Sequence, residues 1–133
     1  MIIRIPRDIL GELMKHVSES RPIEAVGFLL GKKDGDVFEA LELIKVRNAA
    51  GSPVKFSVDP EELLGVYRRA DEKGMEVVAV AHSHPGSTAP SQIDIQYMRL
   101  NPYVWIIVSS VDFKMEAYLL RDNRLEKVRI VIV

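Results

Sequence analysis

The stretch that decides the fold is residues 75–94, with the sequence MEVVAVAHSHPGSTAPSQID. Its first part, Met75–Ala81, is rich in valine and alanine, which is typical of a strand covered on both faces. His82–Pro90 contains two prolines and predicts a loop. Ser91–Leu100 follows as a predicted short helix, because a serine with an acid three residues later is a helix start signal. A buried strand, a loop and a helix in succession indicate an α/β protein.

The chain on either side of this stretch supplies further strands and two more helices. A hairpin turn is predicted at Asp34-Gly35, where an aspartate precedes a glycine. The pattern of apolar and turn residues predicts strands over Met1–Ile5, Ala25–Gly31, Val37–Arg47, Val54–Val58, Tyr103–Ser110, Met115–Arg121 and Leu125–Val133. We therefore expect a mixed α/β fold, with a central mixed β-sheet flanked by about three helices.

The two further helices have recognisable starts and apolar faces. The first follows Pro6 and ends at Arg21, with one apolar stripe at helical spacing: Ile9, Leu10, Leu13, Met14 and Val17. The second begins at Asp59-Pro60, an N-cap followed by a proline that suits the first helical position. It ends at Gly74, and its predicted buried face consists of Leu63, Leu64, Tyr67 and Ala70.

The composition is that of one globular domain, and it excludes several classes of protein. The 133 residues are 47% apolar and 28% charged, so we expect residues 1–133 to form a single domain. A net charge of −1 gives no general attraction to nucleic acid or to anionic membranes. The absence of cysteine excludes disulfides and thiolate zinc sites. No apolar run is long enough to span a bilayer, and Arg4 and Arg7 interrupt the N-terminal apolar residues. We therefore expect a cytoplasmic protein with no nucleic-acid or membrane partner.

A histidine pair and an aspartate form the candidate metal site. His82 and His84 lie two residues apart where the predicted strand runs into a loop, so both rings point to the same side. Asp94 follows in the first turn of the next helix, where the helix N-terminus favours the ionised carboxylate. Two imidazoles and one carboxylate leave a fourth position for water, which is the open arrangement of catalytic zinc.

Simpler interpretations of these residues remain open. The two histidines are also compatible with a polar rim that is hydrogen-bonded to the backbone. Ser91 and Asp94 resemble a capping box, and a capping hydroxyl can still donate its own proton outward. Glu24 is the only charge between Arg21 and Lys32. An acid in such apolar surroundings has a raised pKa and suits proton transfer, although a lone glutamate before a strand is often an ordinary surface residue.

Taken together, these residues resemble the JAMM motif of the MPN-domain zinc metalloproteases in their stand-alone prokaryotic form. The resemblance rests on Glu24–Gly31, His82–Pro85 and Pro90–Asp94, and Asn48–Glu61 is similar to the stand-alone members. The segment Pro85–Pro90 is one residue shorter than in the usual form of the motif. The resemblance implies a cytidine-deaminase-like MPN core, and we expect an archaeal, thermophilic source.

The family resemblance implies roles for five residues. His82, His84 and Asp94 would hold one Zn²⁺ per chain. Glu24 would carry protons between the attacking water and the leaving amine, and the Ser91 hydroxyl would donate to the oxyanion. The activity implied is hydrolysis of the isopeptide or peptide bond after the C-terminal glycine of a ubiquitin-like modifier, as in a deubiquitinase-like enzyme or desampylase.

Other functions remain open at the level of sequence. The same chemistry would serve a peptidase that processes a ubiquitin-like sulfur-carrier protein. A non-catalytic MPN scaffold is a different class, but such scaffolds typically lack one or more motif residues, and all five are present here. A metal-storage or sensor site would give Glu24 and Ser91 no role. A homodimer is compatible with the sequence.

Overall fold

The computed structural model describes residues 1–133, which form seven strands and three helices. The strands are β1 (Ile2–Ile5), β2 (Val26–Asp34), β3 (Val37–Val46), β4 (Glu76–His84), β5 (Val104–Ser109), β6 (Met115–Arg121) and β7 (Arg124–Ile132). The helices are α1 (Arg7–Ser20), α2 (Pro60–Glu72) and α3 (Gln92–Leu100). None of these helices has both the length and the apolar character that a membrane crossing requires.

The strands form one mixed sheet that closes into a barrel. Their order is β1-β3-β2-β4-β5-β6-β7, and β1 pairs in parallel with both β3 and β7. The expectation of a mixed sheet with three helices is confirmed. The sheet is a closed barrel, however, and the short β1 is the strand that closes it. Local sequence patterns predict that a strand exists but not that it bridges two distant partners.

Two apolar clusters hold the helices against opposite faces of the sheet. One contains the buried residues of α1, namely Ile9, Leu13 and Val17, together with residues of every strand. The other contains Val66 and Ala70 of α2 and Met98 of α3. Burying one such large side chain contributes about 1.5–3 kcal/mol. Strands β4 and β5, which are almost entirely buried, contribute to both clusters.

Two predictions about elements are wrong. Val54–Val58 is not a strand, because its polar backbone groups bond to residues 48–49 instead of to a sheet: the Asn48 side chain contacts both Lys55 O and Ser57 N, and Ala49 N donates to Ser57 O. The buried face of α2 is also shifted. Its centre is Val66, which is 2% exposed, whereas the predicted Leu64 is 48% exposed.

The remaining boundaries are close to those predicted, with one difference that matters for the site. β4 continues through His82 to His84, so the loop begins at Pro85 and both histidines belong to the strand. β4 lies between β2 and β5, with His82 opposite Val26 on one side and Ile107 on the other. The two histidines are therefore held by the rigid sheet.

Candidate metal centre

The end of β4 presents two histidine side chains to the α2–α3 face of the sheet. The Nε2 atoms of His82 and His84 are 3.0 Å apart, and their ring centroids are 4.8 Å apart. His82 is buried, and its Nδ1 has no hydrogen-bond partner. Between these histidines, Ser83 faces the other way. It binds the backbone of Ala25 twice, through Ala25 N to Ser83 Oγ (2.8 Å) and Ser83 N to Ala25 O (3.0 Å). Ser83 therefore fixes the end of β4 against the residue that follows Glu24.

Asp94 contacts both histidines from the first turn of α3. Its Oδ1 lies 3.1 Å from His82 Nε2, and its Oδ2 lies 3.1 Å from His84 Nε2. The carboxylate arrives at this position although the loop before Ser91 is one residue shorter than in the usual motif. Both halves of the predicted capping box form: Ser91 N donates to Asp94 Oδ2 at 2.9 Å, and Asp94 N donates to Ser91 Oγ at 3.0 Å.

Glu24 lies on the other side of the histidines, just before β2. Its side chain is buried, with Oε1 3.7 Å from His82 Nε2 and 4.0 Å from His84 Nε2. The second oxygen, Oε2, is buried without a hydrogen-bond partner. Burial and the negative charge of Asp94 outweigh the opposing effect of His84, and they raise the pKa of the Glu24 carboxyl from 4.5 to about 7. At neutral pH this group can therefore both accept and donate a proton.

The pKa values of the three other ionisable groups depend on burial and on their contacts with one another. Burial lowers the pKa of His82 and outweighs the hydrogen bond to Asp94. Burial also opposes the charged form of His84, but the hydrogen bond and negative charge of Asp94 outweigh it and raise the pKa of His84. For Asp94, the hydrogen bonds to the two histidines prevail over burial and lower the pKa of its carboxyl, which is therefore ionised at neutral pH.

These distances place the possible ligand atoms of four residues around a single point. Ligand atoms around a tetrahedral zinc ion are separated by about 3.3 Å, given zinc–ligand bonds of about 2.0–2.1 Å. The ring nitrogens of His82 and His84 and the oxygens of Asp94 are 3.0–3.1 Å apart. Glu24 Oε1 is farther away, at 3.7–4.0 Å, although all four ligand atoms lie within 4.8 Å of one another. Imidazole and carboxylate donors grouped in this way are compatible with a metal site.

Two aromatic side chains pack against the ring of His82 and form an aromatic wall. The sequence did not indicate these contacts. The ring of Phe56 lies 4.9 Å from the His82 ring, and the ring of Trp105 lies 5.7 Å from it. Trp105 is a core residue, as its strand pattern predicts, but it also orients the histidine. Next to this wall is an apolar cavity of about 240 Å³, bordered by Phe56, Trp105 and Val80, which is two residues before His82 on β4.

The structure brings four of the five predicted residues together: Glu24, His82, His84 and Asp94. Ser91 is placed by its capping bonds to Asp94. Because its Oγ accepts the bond from Asp94 N, the hydroxyl hydrogen stays available to donate. The role of Ser91 as an oxyanion donor, and the division of the other four residues into ligands and proton carrier, remain predictions.

Comparison with known proteins agrees with this fold and site. The family model for prokaryotic homologs of the JAB domain matches residues 6–122. The chain therefore belongs to this family, the stand-alone prokaryotic JAMM/MPN proteins that its motif resembles.

Individual relatives agree with that assignment. The chain is 35% identical over 130 residues to a desampylase of Pyrococcus furiosus, covering 96% of this chain and 89% of the relative. It is 29% identical over 112 residues to a CysO-cysteine peptidase of Mycobacterium tuberculosis, covering 84% of this chain and 75% of the relative.

Solved structures show the same fold. A protein from Desulfitobacterium hafniense superposes with a TM-score of 0.87 at 26% identity, covering 99% of this chain and 93% of that one. A JAB1/MPN domain protein from Archaeoglobus fulgidus gives a TM-score of 0.60 at 24% identity, covering 98% and 99% of the two chains.

Proposed function

We propose that this protein is a JAMM-type metallo-isopeptidase that hydrolyses the bond after the C-terminal glycine of a ubiquitin-like modifier. The observation that carries the proposal is the group of Glu24, His82, His84 and Asp94, buried except for the partly exposed His84, whose possible ligand atoms lie within 4.8 Å of one another in a chain of the prokaryotic JAB family. The relative named desampylase, which matches 96% of the chain, supports a modifier conjugate as the substrate.

The metal in this proposal is one zinc ion per chain, held by His82, His84 and Asp94. Neutral imidazoles are the usual nitrogen ligands of zinc, and burial lowers the pKa of His82, which favours its neutral form. When bound, zinc lowers the pKa of water toward neutrality and polarises a carbonyl group. The unpartnered Nδ1 of His82 and its aromatic wall show that this ring is oriented by packing and not by a second hydrogen bond.

Glu24 is the proton carrier in this mechanism. Its carboxylate accepts a proton from the attacking water and then donates a proton to the leaving amine. Two features of the site support this role. The Glu24 Oε1 atom faces both histidines, and burial raises the pKa of its carboxyl in the metal-free chain.

Ser91 is the oxyanion donor in this mechanism. Its Oγ accepts a hydrogen bond from the N–H of Asp94 at the start of α3. The carboxylate of Asp94 contacts both histidines. A hydroxyl fixed in this way can donate to the negative oxygen that forms on the substrate carbonyl. The helix N-terminus adds a positive partial charge on the same side.

A second substrate class is a ubiquitin-like sulfur-carrier protein. The relative named CysO-cysteine peptidase, at 29% identity, favours it. The two substrates require the same bond cleavage and differ in the leaving group: the ε-amine of a lysine in a modifier conjugate, or an α-amine beyond the C-terminal glycine of a carrier. A non-catalytic scaffold is disfavoured, because Glu24, His82, His84 and Asp94 lie together in one site and Ser91 is bonded to Asp94 beside it.

The test is hydrolysis of one ubiquitin-like protein from the same source, prepared in two forms. One form is joined to a lysine side chain through its C-terminal glycine, and the other carries a short C-terminal extension beyond that glycine. We expect cleavage after the glycine, loss of activity with a chelator and recovery with added zinc. Preference for the first form identifies an isopeptidase, and preference for the second a processing peptidase. If metal-loaded protein cleaves neither form of any such modifier from its source, the proposal is wrong.

A further inference from the structure

Asn48 makes an unusually complete set of hydrogen bonds in the loop that follows β3. The two hydrogens of its amide nitrogen are donated to the carbonyls of Glu24 (2.9 Å) and Lys55 (3.0 Å), and the carbonyl of Ser52 at 3.3 Å shares one of them. Its amide oxygen accepts from the backbone N–H groups of Ala50 (3.0 Å) and Ser57 (3.2 Å). A single side chain thus uses both its donor and its acceptor atoms to organise residues 48–57.

The same loop fixes the backbone of Glu24. Glu24 lies two residues before β2, which begins at Val26, so its peptide groups have no partner in the sheet. Its carbonyl accepts from Asn48 Nδ2, and its N–H donates to the carbonyl of Ser52 at 2.9 Å, which Asn48 also binds. Both backbone bonds of Glu24 therefore depend on the loop that Asn48 organises.

The other end of the loop fixes the aromatic wall of the metal centre. Asn48 binds the carbonyl of Lys55 and the N–H of Ser57, the two residues that flank Phe56. The Phe56 ring packs 4.9 Å from the His82 ring and 6.1 Å from the Trp105 ring. A residue that clamps the backbone on both sides of Phe56 controls where this ring lies.

We propose that Asn48 is a positioning residue that sets Glu24 and Phe56 against the two histidines at the same time. Asparagine is required because one short side chain must supply an NH₂ group toward the surrounding carbonyls and an oxygen that accepts from two N–H groups. Aspartate keeps the acceptor and loses the donors, and alanine loses both. The catalytic consequence rests on the proposed function, whereas the positioning itself does not.

The test compares Asn48→Ala and Asn48→Asp with wild type through readouts that do not need substrate. Amide exchange is the first: the Glu24 N–H should exchange at least about tenfold faster in both variants, while the Ser83 N–H, which bonds to Ala25 O, should not change. The second is fluorescence of Trp105, the only tryptophan, which should become more accessible to acrylamide in the alanine variant when Phe56 is released.

Kinetics complete the test and separate positioning from folding. With the modifier substrate, both variants should lose about tenfold or more in kcat with KM changed by less than about twofold, and they should retain zinc, because the three ligands do not touch Asn48. Asp59→Ala is the matched control: it removes the cap of α2, which costs stability, but its side chain contacts neither Glu24 nor Phe56. It should therefore leave kcat unchanged.

Several results would overturn the proposal. These are unchanged Glu24 exchange in the Asn48 variants, loss of zinc from them, or a fall in kcat that Asp59→Ala reproduces at equal loss of stability. If the wild-type chain cleaves no modifier, the proposed function fails, while the exchange and quenching results still decide whether Asn48 positions Glu24 and Phe56. If exchange changes but kcat does not, the catalytic consequence is wrong and the proposed function stands.

Discussion

Glu24 combines two properties at the scale of a single residue: its carboxyl is buried, and one of its oxygens has no hydrogen-bond partner. A group with only a structural role would be expected to satisfy both oxygens, because an unpartnered buried oxygen costs about 1–3 kcal/mol. In Glu24→Gln we therefore expect the fold and the bound zinc to be retained and nearly all turnover to be lost, since an amide cannot carry the proton.

The control for that variant is His84→Ala, which should lose zinc together with turnover. Metal analysis and kcat on the same samples distinguish the two effects. Near wild-type kcat in Glu24→Gln would show that Glu24 is not the proton carrier.

The raised pKa of Glu24 also predicts how stability depends on pH in metal-free protein. Because the pKa is raised from 4.5 to about 7, the folded state holds this proton more tightly than the unfolded state. The stabilisation from the proton is complete below pH 4.5 and is lost as the pH rises through about 7. Denaturant unfolding of wild type and Glu24→Gln should show wild type losing stability relative to the variant across this window. A constant difference between them from pH 4 to 8 would argue against the shift.

Ser91 provides the sharpest distinction between capping and catalysis. As a cap alone, Ser91→Ala should cost about 0.5–2 kcal/mol of stability and leave kcat nearly unchanged. As an oxyanion donor, it should lower kcat by about a hundredfold or more with little change in KM. We expect the second result, with a smaller loss of stability beside it. Ser91→Asp retains capping but cannot donate when ionised, so it should be stable and inactive. Full activity in Ser91→Asp would show that Ser91 serves only as a helix cap.

The sequence predicted that four acidic and histidine side chains would lie together, and the structure confirms that grouping, whereas the contacts of Asn48 were not predicted. Glu24, His82, His84 and Asp94 are chemically distinctive and fall in a recognisable order. Asn48 has no such signature, because its value lies in five backbone groups that the folded loop brings around it. Phe56 was predicted to lie in a strand, because apolar residues within a polar loop resemble a short strand.

At the scale of elements, the sequence signals worked where the cause was local. The N-cap Asp59 and the end of α2 near Gly74 form as predicted, because each depends on a few adjacent residues. The hairpin turn falls one residue later than predicted, at Gly35-Asp36, because Asp34 still pairs with Val37 in the sheet. The shifted face of α2 has a tertiary cause. Its outer residues Leu64 and Tyr67 are left partly exposed, and Val66 packs against the sheet instead.

The irregular ladder of β2 gives a prediction at the same scale. The register of β2 shifts between Leu30 and Gly31 against β3, and a Cβ on Gly31 would lie 1.7 Å from the Glu39 carbonyl oxygen. Since backbone must move to relieve this contact, Gly31→Ala should destabilise by about 3 kcal/mol or more. Gly11→Ala is the matched control, because a Cβ there meets nothing within 4 Å inside α1, and it should stabilise by about 0.5–1 kcal/mol. Denaturant midpoints measure both, and equal midpoints for the two variants would contradict the prediction.

At the scale of the whole molecule, the strand that closes the barrel lies away from the candidate metal centre. The strand β1 bonds to β3 and β7 on the far side of the sheet order from β4 and β5, which carry and flank the histidines. The apolar cluster that joins α1 to the sheet contains 19 buried residues and no residue of the metal centre. The fold therefore has an apolar core that the side chains of the metal centre do not build, although β4 carries both the histidines and part of that core.

Because the barrel closure and the apolar core do not use the side chains of the metal centre, the structure predicts the effect of removing the metal. A chelator should abolish hydrolysis and leave the far-ultraviolet circular dichroism and the cooperative thermal transition in place. The melting temperature should fall, because a metal that binds only the folded state stabilises that state by mass action. Added zinc should restore both activity and the melting temperature, and His84→Ala, whose site lacks one ligand, should show no response to either reagent. The contrasting case is a small zinc domain, which unfolds outright when its metal is removed. Loss of the cooperative transition on chelation would show that the metal centre holds the barrel together, contrary to the arrangement of its apolar clusters.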